Sequence, residues 1–164
     1  MEEKKITLYE DELYTKKVKE EATLQLLVFR LSNEWYGIDV VKTKEVVKIE
    51  KVVYLPSSPH YILGVINLRG TILSVTDLKK LFVLGAEPIT DSSRIVVVEL
   101  GSLQTGLLTD EVYEVIQIFQ NKIDPALSTL SPEKAEYIEG EYKLDDKLIG
   151  ILNVDKIIEK CRLK

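Results

Sequence analysis

LVFRLSNEWYGIDVVKTKEVVKI, residues 27–49, is the stretch from which the fold can be read. It opens on β-branched, aromatic and apolar residues, breaks at Ser32-Asn33-Glu34 and resumes as WYGIDV, the pattern of two short strands joined by turn residues. The stretch has a second copy. VVVELGSLQTGLLTDEVYEVIQI, residues 96–118, lies over it without a gap at an offset of 69. Leu31 falls on Leu100, Gly37 on Gly106, Glu45 on Glu114, Val46 on Val115 and Ile49 on Ile118. Further along, Tyr61-Ile62-x-Gly64 falls on Tyr137-Ile138-x-Gly140, and Asp77 on Asn153, at an offset of 76. One identity between apolar strands means little. Matching order, glycines and helix caps together indicate a duplicated unit.

Outward from this repeat, three more hairpins are expected. GVINLRG/TILSVTD bends at Gly70, SRIVVVELGSLQTGLLTD at Gly101-Ser102, and EGEYKLDDKLIGILN at Asp145-Asp146. Short helices are predicted from Leu78 to Phe82 and from Val154 to Lys160, because Asp77 and Asn153 can accept bonds from unpaired first-turn N–H groups. A helical turn is expected from Ser131, with Pro132 in the favoured first position. About five short strands per copy suit a small closed barrel, which hides its sheet edges. The expected fold is therefore mainly β: two five-stranded barrel lobes, near residues 23–90 and 91–152, packed together with short helices. The C-terminal helix, 153–162, is left open between packing back on the first lobe and packing on the second. Residues 1–22 carry seven acidic and five basic side chains and only a thin stripe of Ile6, Tyr9 and Leu13. They read as a mobile or loosely docked tail.

Composition removes several functions. A net charge of −5 argues against a general nucleic-acid binder, which needs a basic stripe to neutralise phosphates. No apolar run approaches the roughly 20 residues of a membrane span. The start MEEKKITLYEDEL lacks the apolar core of a secretory signal, so a cytoplasmic location is the default. Cys161 is the only cysteine, which rules out an intramolecular disulfide and a cysteine-based metal site and reads as an inert thiol. His60 is the only histidine and follows Pro59 in a loop. No Ser/His/Asp set, paired carboxylates at a cleft, phosphate-cradling glycine loop or His/Cys cluster suggests an enzyme, a metal or a cofactor.

Arg69 is the informative charge. Its counterpart in the second copy is Asp145, whereas Glu45 has a matching Glu114. A charge out of register with its copy is poorly explained by the fold of the lobe itself. An Arg69–Glu45 ion pair is predicted where the lobes meet or beside a groove. An exposed pair would add little stability, whereas breaking a partly buried one strands its partner. Both a clasp between lobes and a recognition device remain open on these residues alone.

Phe29-Arg30-Leu31, Glu34-Trp35-Tyr36-Gly37-Ile38-Asp39, Glu45-Val46, Leu55-Pro56 with Pro59, Gly64-Val65-Ile66-Asn67-Leu68-Arg69-Gly70, Asp77-Leu78, Gly106 and Asp110 together resemble the CheW family of chemotaxis coupling proteins. The likeness runs from about Thr23 to Lys160, and its most specific part is PSSPHYILGVINLRG. The resemblance implies two SH3-like barrels around a shared apolar core, with no catalysis and no cofactor. It implies an adaptor that couples the cytoplasmic helical hairpin of a chemoreceptor to the regulatory domain of a histidine kinase. Such a protein is cytoplasmic, is recruited to membrane-associated receptor arrays and touches the membrane only through receptors. By the same resemblance, Glu45, Leu68 and Arg69 lie on the receptor-binding side with Thr43, Val112 and Val115 beside them, and Arg94, Ile95 and Gly106 lie toward the kinase. A coupling protein of a non-flagellar pathway, such as pilus motility or development, is the alternative. The end at Lys164 leaves no room for a receiver domain, so the fused coupling–receiver type is not expected. Ser74 stands where the family often has proline, and the tail matches nothing in the family pattern.

Overall fold

The computed structural model describes residues 22–85, 87–126 and 130–162. The first copy supplies β1 (Thr23–Leu31), β2 (Glu34–Asp39), β3 (Thr43–Lys48), β4 (Ile62–Leu68), β5 (Thr71–Asp77) and helix α1 (Leu78–Leu81). The second supplies β6 (Arg94–Leu100), β7 (Leu103–Thr109), β8 (Glu111–Phe119), α2 (Pro132–Ala135), β9 (Ile138–Leu144), β10 (Lys147–Leu152) and α3 (Val154–Cys161). Single 3-10 turns lie at Val40–Lys42 and Gln120–Lys122. The expected tail lies outside the described residues except for Ala22, whose carbonyl accepts from Gln120 N at 2.9 Å.

All four expected hairpins form, each around a two-residue turn. At Arg69-Gly70 both central residues have positive φ, 49° and 88°, as a type I′ turn matched to strand twist requires. Asp145, the repeat counterpart of Arg69, has φ 54°. Asp77 caps α1 by accepting from Lys79 N, and Asn153 caps α3 by accepting from Lys156 N, both at 3.1 Å. Ser74 lies inside β5, its hydroxyl 3.1 Å from that of Thr105 on β7.

The strands form two five-stranded sheets, ordered β8-β1-β2-β10-β9 and β3-β6-β7-β5-β4. Exchanging each strand for its repeat counterpart turns the first order into the second. Register follows as well. Leu27 faces Ile38 as Val96 faces Leu107, Leu26 faces Ile116 as Ile95 faces Val47, and Ile66 faces Leu73 as Tyr142 faces Ile149. The parallel contacts match too, Ile151 opposite Gly37 and Val75 opposite Gly106.

The expected division near residue 90 is not the division of the sheets. Residues 23–39 join 111–152 in one sheet, and residues 43–109 supply the other. Each copy gives its first hairpin to one sheet and its last three strands to the other. Local patterning specifies a hairpin but not the hairpin that will cover its open edge. Helix α3 lies against β6 and β7, strands of the second copy, and Tyr61 Oη reaches the Lys160 carbonyl at 3.3 Å from the first.

Three apolar clusters hold the molecule. Leu26, Val28, Ile118, Ile149 and Ile151 fill the lobe formed by the first sheet, the first lobe from here on, as the second sheet forms the second. Ile66, Leu73, Val75, Ile95, Val97 and Leu108 fill the second, with Val47 of β3 packed against the cluster that holds Ile66 of β4, so the outermost strands share one interior. The third and largest cluster lies between the lobes. Leu27, Phe29, Leu31 and Ile38 face Val96, Val98 and Leu107, with Leu78, Val154 and Ile157 of the helices. β1 and β6 are thus apolar on both faces. Leu26 and Val28 point into a lobe while Leu27 and Phe29 point to the seam, which is why these strands read as continuous runs rather than alternation. Each large side chain buried this way contributes about 1.5–3 kcal/mol.

Candidate partner-binding site

The NLRG block builds a rigid tip. Leu68 packs against the interior of the second lobe, and Asn67 Oδ1 accepts from Gly70 N at 2.8 Å, closing the turn. Arg69 is thereby held at the apex. Its Nη2 donates to Glu45 Oε2 on β3, forming the predicted ion pair. The carboxylate hydrogen bond, then its charge, raises the arginine pKa further, so the guanidinium is permanently charged. β3 and β4 stand at opposite ends of the strand order, so the pair ties the two outer strands of one sheet. It lies beside a groove of about 600 Å³ lined by Val47, Lys48, Lys51, Val53, Leu68 and Arg69. It is not at the seam between lobes. The Arg69 side chain is 68% exposed and that of Glu45 23%, so the carboxylate orients a fork most of whose five donors face outward.

Of the residues expected on the receptor side, the structure brings Glu45, Leu68 and Arg69 together on this rim. Thr43, Val112 and Val115 occupy the strands β3 and β8, which are counterparts in the repeat. Thr43 lies opposite Val98, and its Oγ1 is buried without a hydrogen-bond partner among the described residues. Val112 packs against the seam cluster opposite Phe29, and Val115 stands 51% exposed opposite Leu27. Val46, which the alignment of the two copies pairs with Val115, is exposed as well.

The expected kinase-side residues are placed differently. Arg94 is half-buried at the start of β6, where its Nη1 donates to the carbonyls of Asp91 (2.6 Å) and Ser93 (2.8 Å). Ile95 is fully buried inside the second lobe, and Gly106 is buried against it: a Cβ on Gly106 would lie 2.6 Å from Ile95 Cγ2. Neither offers a surface. They sit where β6 and β7 need an inward apolar residue facing a gap, so they shape the strands from within.

Two charged clusters had no place in the sequence reading. Lys79 Nζ lies 2.7 Å from Asp110 Oδ1, with side-chain exposures of 4% and 10%. On the first lobe, Trp35 and Tyr113 meet edge to face at 5.2 Å, and Lys147 Nζ is 4.6 Å from both ring centres. Close by, Glu34 accepts from Lys134 Nζ at 2.7 Å and from the Tyr36 hydroxyl. Burial alone would raise the Glu34 pKa, but these two donors hold it below the usual value. His60 lies edge-on to Tyr61, and burial pushes the Cys161 thiol up. Among the described residues no group of His, Cys, Asp and Glu is placed to hold a metal, and no helix is long and apolar enough to cross a membrane.

Two lobes of exchanged strands around a common core, presenting oriented charge on a rim and apolar side chains on outer strands, form a binding module. The chain belongs to the CheW-like family: the family profile described as a CheW-like domain matches residues 25–162. It is 34% identical over 146 residues to the chemotaxis protein CheW of Helicobacter pylori, covering 89% of this chain and 88% of that protein. It is 31% identical over 140 residues to the chemotaxis protein CheW of Thermotoga maritima, covering 85% and 91%. Its fold is similar to the crystal structure of the scaffolding protein TtCheW from Thermoanaerobacter tengcongensis, with a TM-score of 0.74, 39% identity and coverage of 81% and 86%. Its two five-stranded lobes are SH3-like, and members of this chemotaxis family are scaffolds or adaptors, not enzymes.

Proposed function

We propose that this chain couples the cytoplasmic helical hairpin of a chemoreceptor to the regulatory domain of a histidine kinase, in the cytoplasm at membrane-associated receptor arrays. The observation that carries the receptor half is the Arg69–Glu45 rim: a permanent cation, aimed by a partner carboxylate and left open, beside an apolar-floored groove. A helix recognised there would lay its apolar stripe on Val53 and Leu68, continue onto Val46 and Val115, and have its register set by Arg69. Thr43 and Val112 support that face from the seam. The kinase domain docks on the side where β6 begins at Arg94, with Ile95 and Gly106 shaping the strands beneath. Micromolar contacts, about −8 kcal/mol each, suffice because an array engages many copies at once.

Co-sedimentation with receptor-bearing membranes and purified kinase tests this. Arg69→Ala should lower recovery with receptor while leaving the melting transition and kinase binding intact. Unchanged recovery with receptor would remove the rim from the mechanism.

A further inference from the structure

The chain leaves the second sheet at Thr109 and enters the first at Glu111, so Asp110 alone makes the passage. That residue is 8% exposed and held from both sides. Its N–H donates to the Arg30 carbonyl at 3.0 Å, and its Oδ2 accepts from Ser32 N at 2.7 Å, fixing it to the β1–β2 turn of the first sheet. Its Oδ1 meets Lys79 Nζ at 2.7 Å, fixing it to α1, which directly follows β5 of the second. Lys79 has a second, more distant acid in Glu87 at 3.9 Å. Around the passage, Arg30 donates to the Ser32 carbonyl at 2.6 Å and pairs with Glu111 at 3.5 Å, so the first residue of β8 is tied into the same belt.

Two residues beyond Asp110 stands Val112, and three further Val115. On the other side, α1 is covalently continuous with the β4–β5 hairpin that carries Arg69 at its turn. We infer that Asp110 and Lys79 are positioning residues. Their buried pair holds β8 at a fixed offset from the Arg69 hairpin, so that the two parts of the receptor-binding face, one on each sheet, act as one surface. This rests on the receptor-binding reading above. A buried ion pair is poor value as a pure stabiliser, since an apolar replacement is often as stable, but it demands one geometry. At a one-residue passage between lobes, geometry is the quantity that matters.

The test is Lys79→Met/Asp110→Asn, which removes both charges and keeps an oxygen acceptor for Ser32 N. The full chain is titrated with a purified receptor cytoplasmic hairpin, and amide exchange is followed along β8. We expect a cooperatively folded protein whose receptor affinity falls roughly three- to thirtyfold. Exchange from Val112 to Val115 should accelerate while the Asn67–Gly70 turn keeps its protection. Lys79→Arg, which retains the charge, should restore both. If the double variant does not fold, Lys79→Gln, which can still hydrogen-bond Asp110, is read in the same way. A folded variant with unchanged affinity and unchanged β8 exchange overturns the inference. If the unaltered chain does not bind the hairpin, the receptor reading falls, and β8 exchange alone still decides whether the pair positions that strand.

Discussion

Asp110, at the passage from β7 to β8, has its carboxylate enclosed by Ser32 N and Lys79 Nζ, both at 2.7 Å. At the equivalent passage from β2 to β3, Val41 takes the place of Asp110 in the repeat and stands 82% exposed. There Lys42 meets Asp155 at 3.1 Å, with side-chain exposures of 38% and 46%. Lys79 and Asp155 are themselves counterparts, each the second residue of its helix. Duplication has therefore preserved the idea of a helix-to-passage ion pair while reversing its polarity and its depth. The passage into β8 is pinned by an enclosed ion pair, whereas the passage into β3 has only an exposed one beside the cap that Asp39 places on Val41 N at 3.1 Å. Both lead directly into the strands expected to meet the receptor, so compliance of the binding face should reside on the β3 side.

The contrast is sharpest in stability. Asp110→Ala leaves Lys79 buried beside only a distant acid and orphans Ser32 N. It should cost about 3–5 kcal/mol, read as a lower midpoint in urea unfolding. A smaller split is expected at two counterpart glycines. A Cβ on Gly64 would lie 2.3 Å from the Val53 carbonyl oxygen, whereas one on Gly140 would first meet the side chain of Ile123 at 2.7 Å. Backbone cannot yield as a methyl group can. Gly64→Ala should therefore cost about 3 kcal/mol and Gly140→Ala about 1, and equal losses in the same unfolding experiment would show that the surroundings of the two glycines are equally rigid.

What the sequence disclosed and what it hid divide along physical lines. Hairpins and caps were legible because turn residues, cap residues and two-residue periodicity act locally. The pairing of Arg69 with Glu45 was legible because Arg69 breaks the repeat inside an otherwise apolar block. The exchange of hairpins between sheets was not, since an apolar strand edge accepts either neighbour. The buried pair was hidden as well. Lys79 in LKKL looks like an ordinary helix lysine, Asp110 like a turn residue, and only the three-dimensional fold encloses both. The resemblance places Ile95 and Gly106 toward the kinase, and the run Ile95-Val96-Val97-Val98 indicates a strand apolar on both faces, with Ile95 one of its buried members.

At the two hairpin tips the comparison concerns recognition rather than folding. Arg69 and Asp145 occupy the first position of matched two-residue turns with φ 49° and 54°, although the second position has positive φ only at Gly70. Arg69→Ala should reduce receptor affinity roughly tenfold, as loss of an anchoring arginine does in other interfaces, and Asp145→Ala should leave it unchanged. Glu45→Gln isolates the orienting role, because the amide still accepts from the guanidinium, and its loss should be smaller than that of Arg69→Ala. A receptor titration in which Asp145→Ala is as damaging as Arg69→Ala would mean that both lobes offer equivalent docking sites.

The smallest effect belongs to the passage into β3. With both partners more than a third exposed, the Lys42–Asp155 pair gains little Coulomb energy in high dielectric and must order two side chains to do so. Lys42→Ala should cost no more than about 1 kcal/mol. That cost should shrink further between low salt and physiological ionic strength, since screening acts on exposed pairs and hardly on enclosed ones. Asp110→Ala, by the same reasoning, should be nearly independent of salt. Urea unfolding of both variants at two ionic strengths separates the cases. A salt-insensitive loss of several kcal/mol for Lys42→Ala would mean that the passage into β3 is pinned as firmly as the one into β8, and the assignment of compliance to the β3 side would fail.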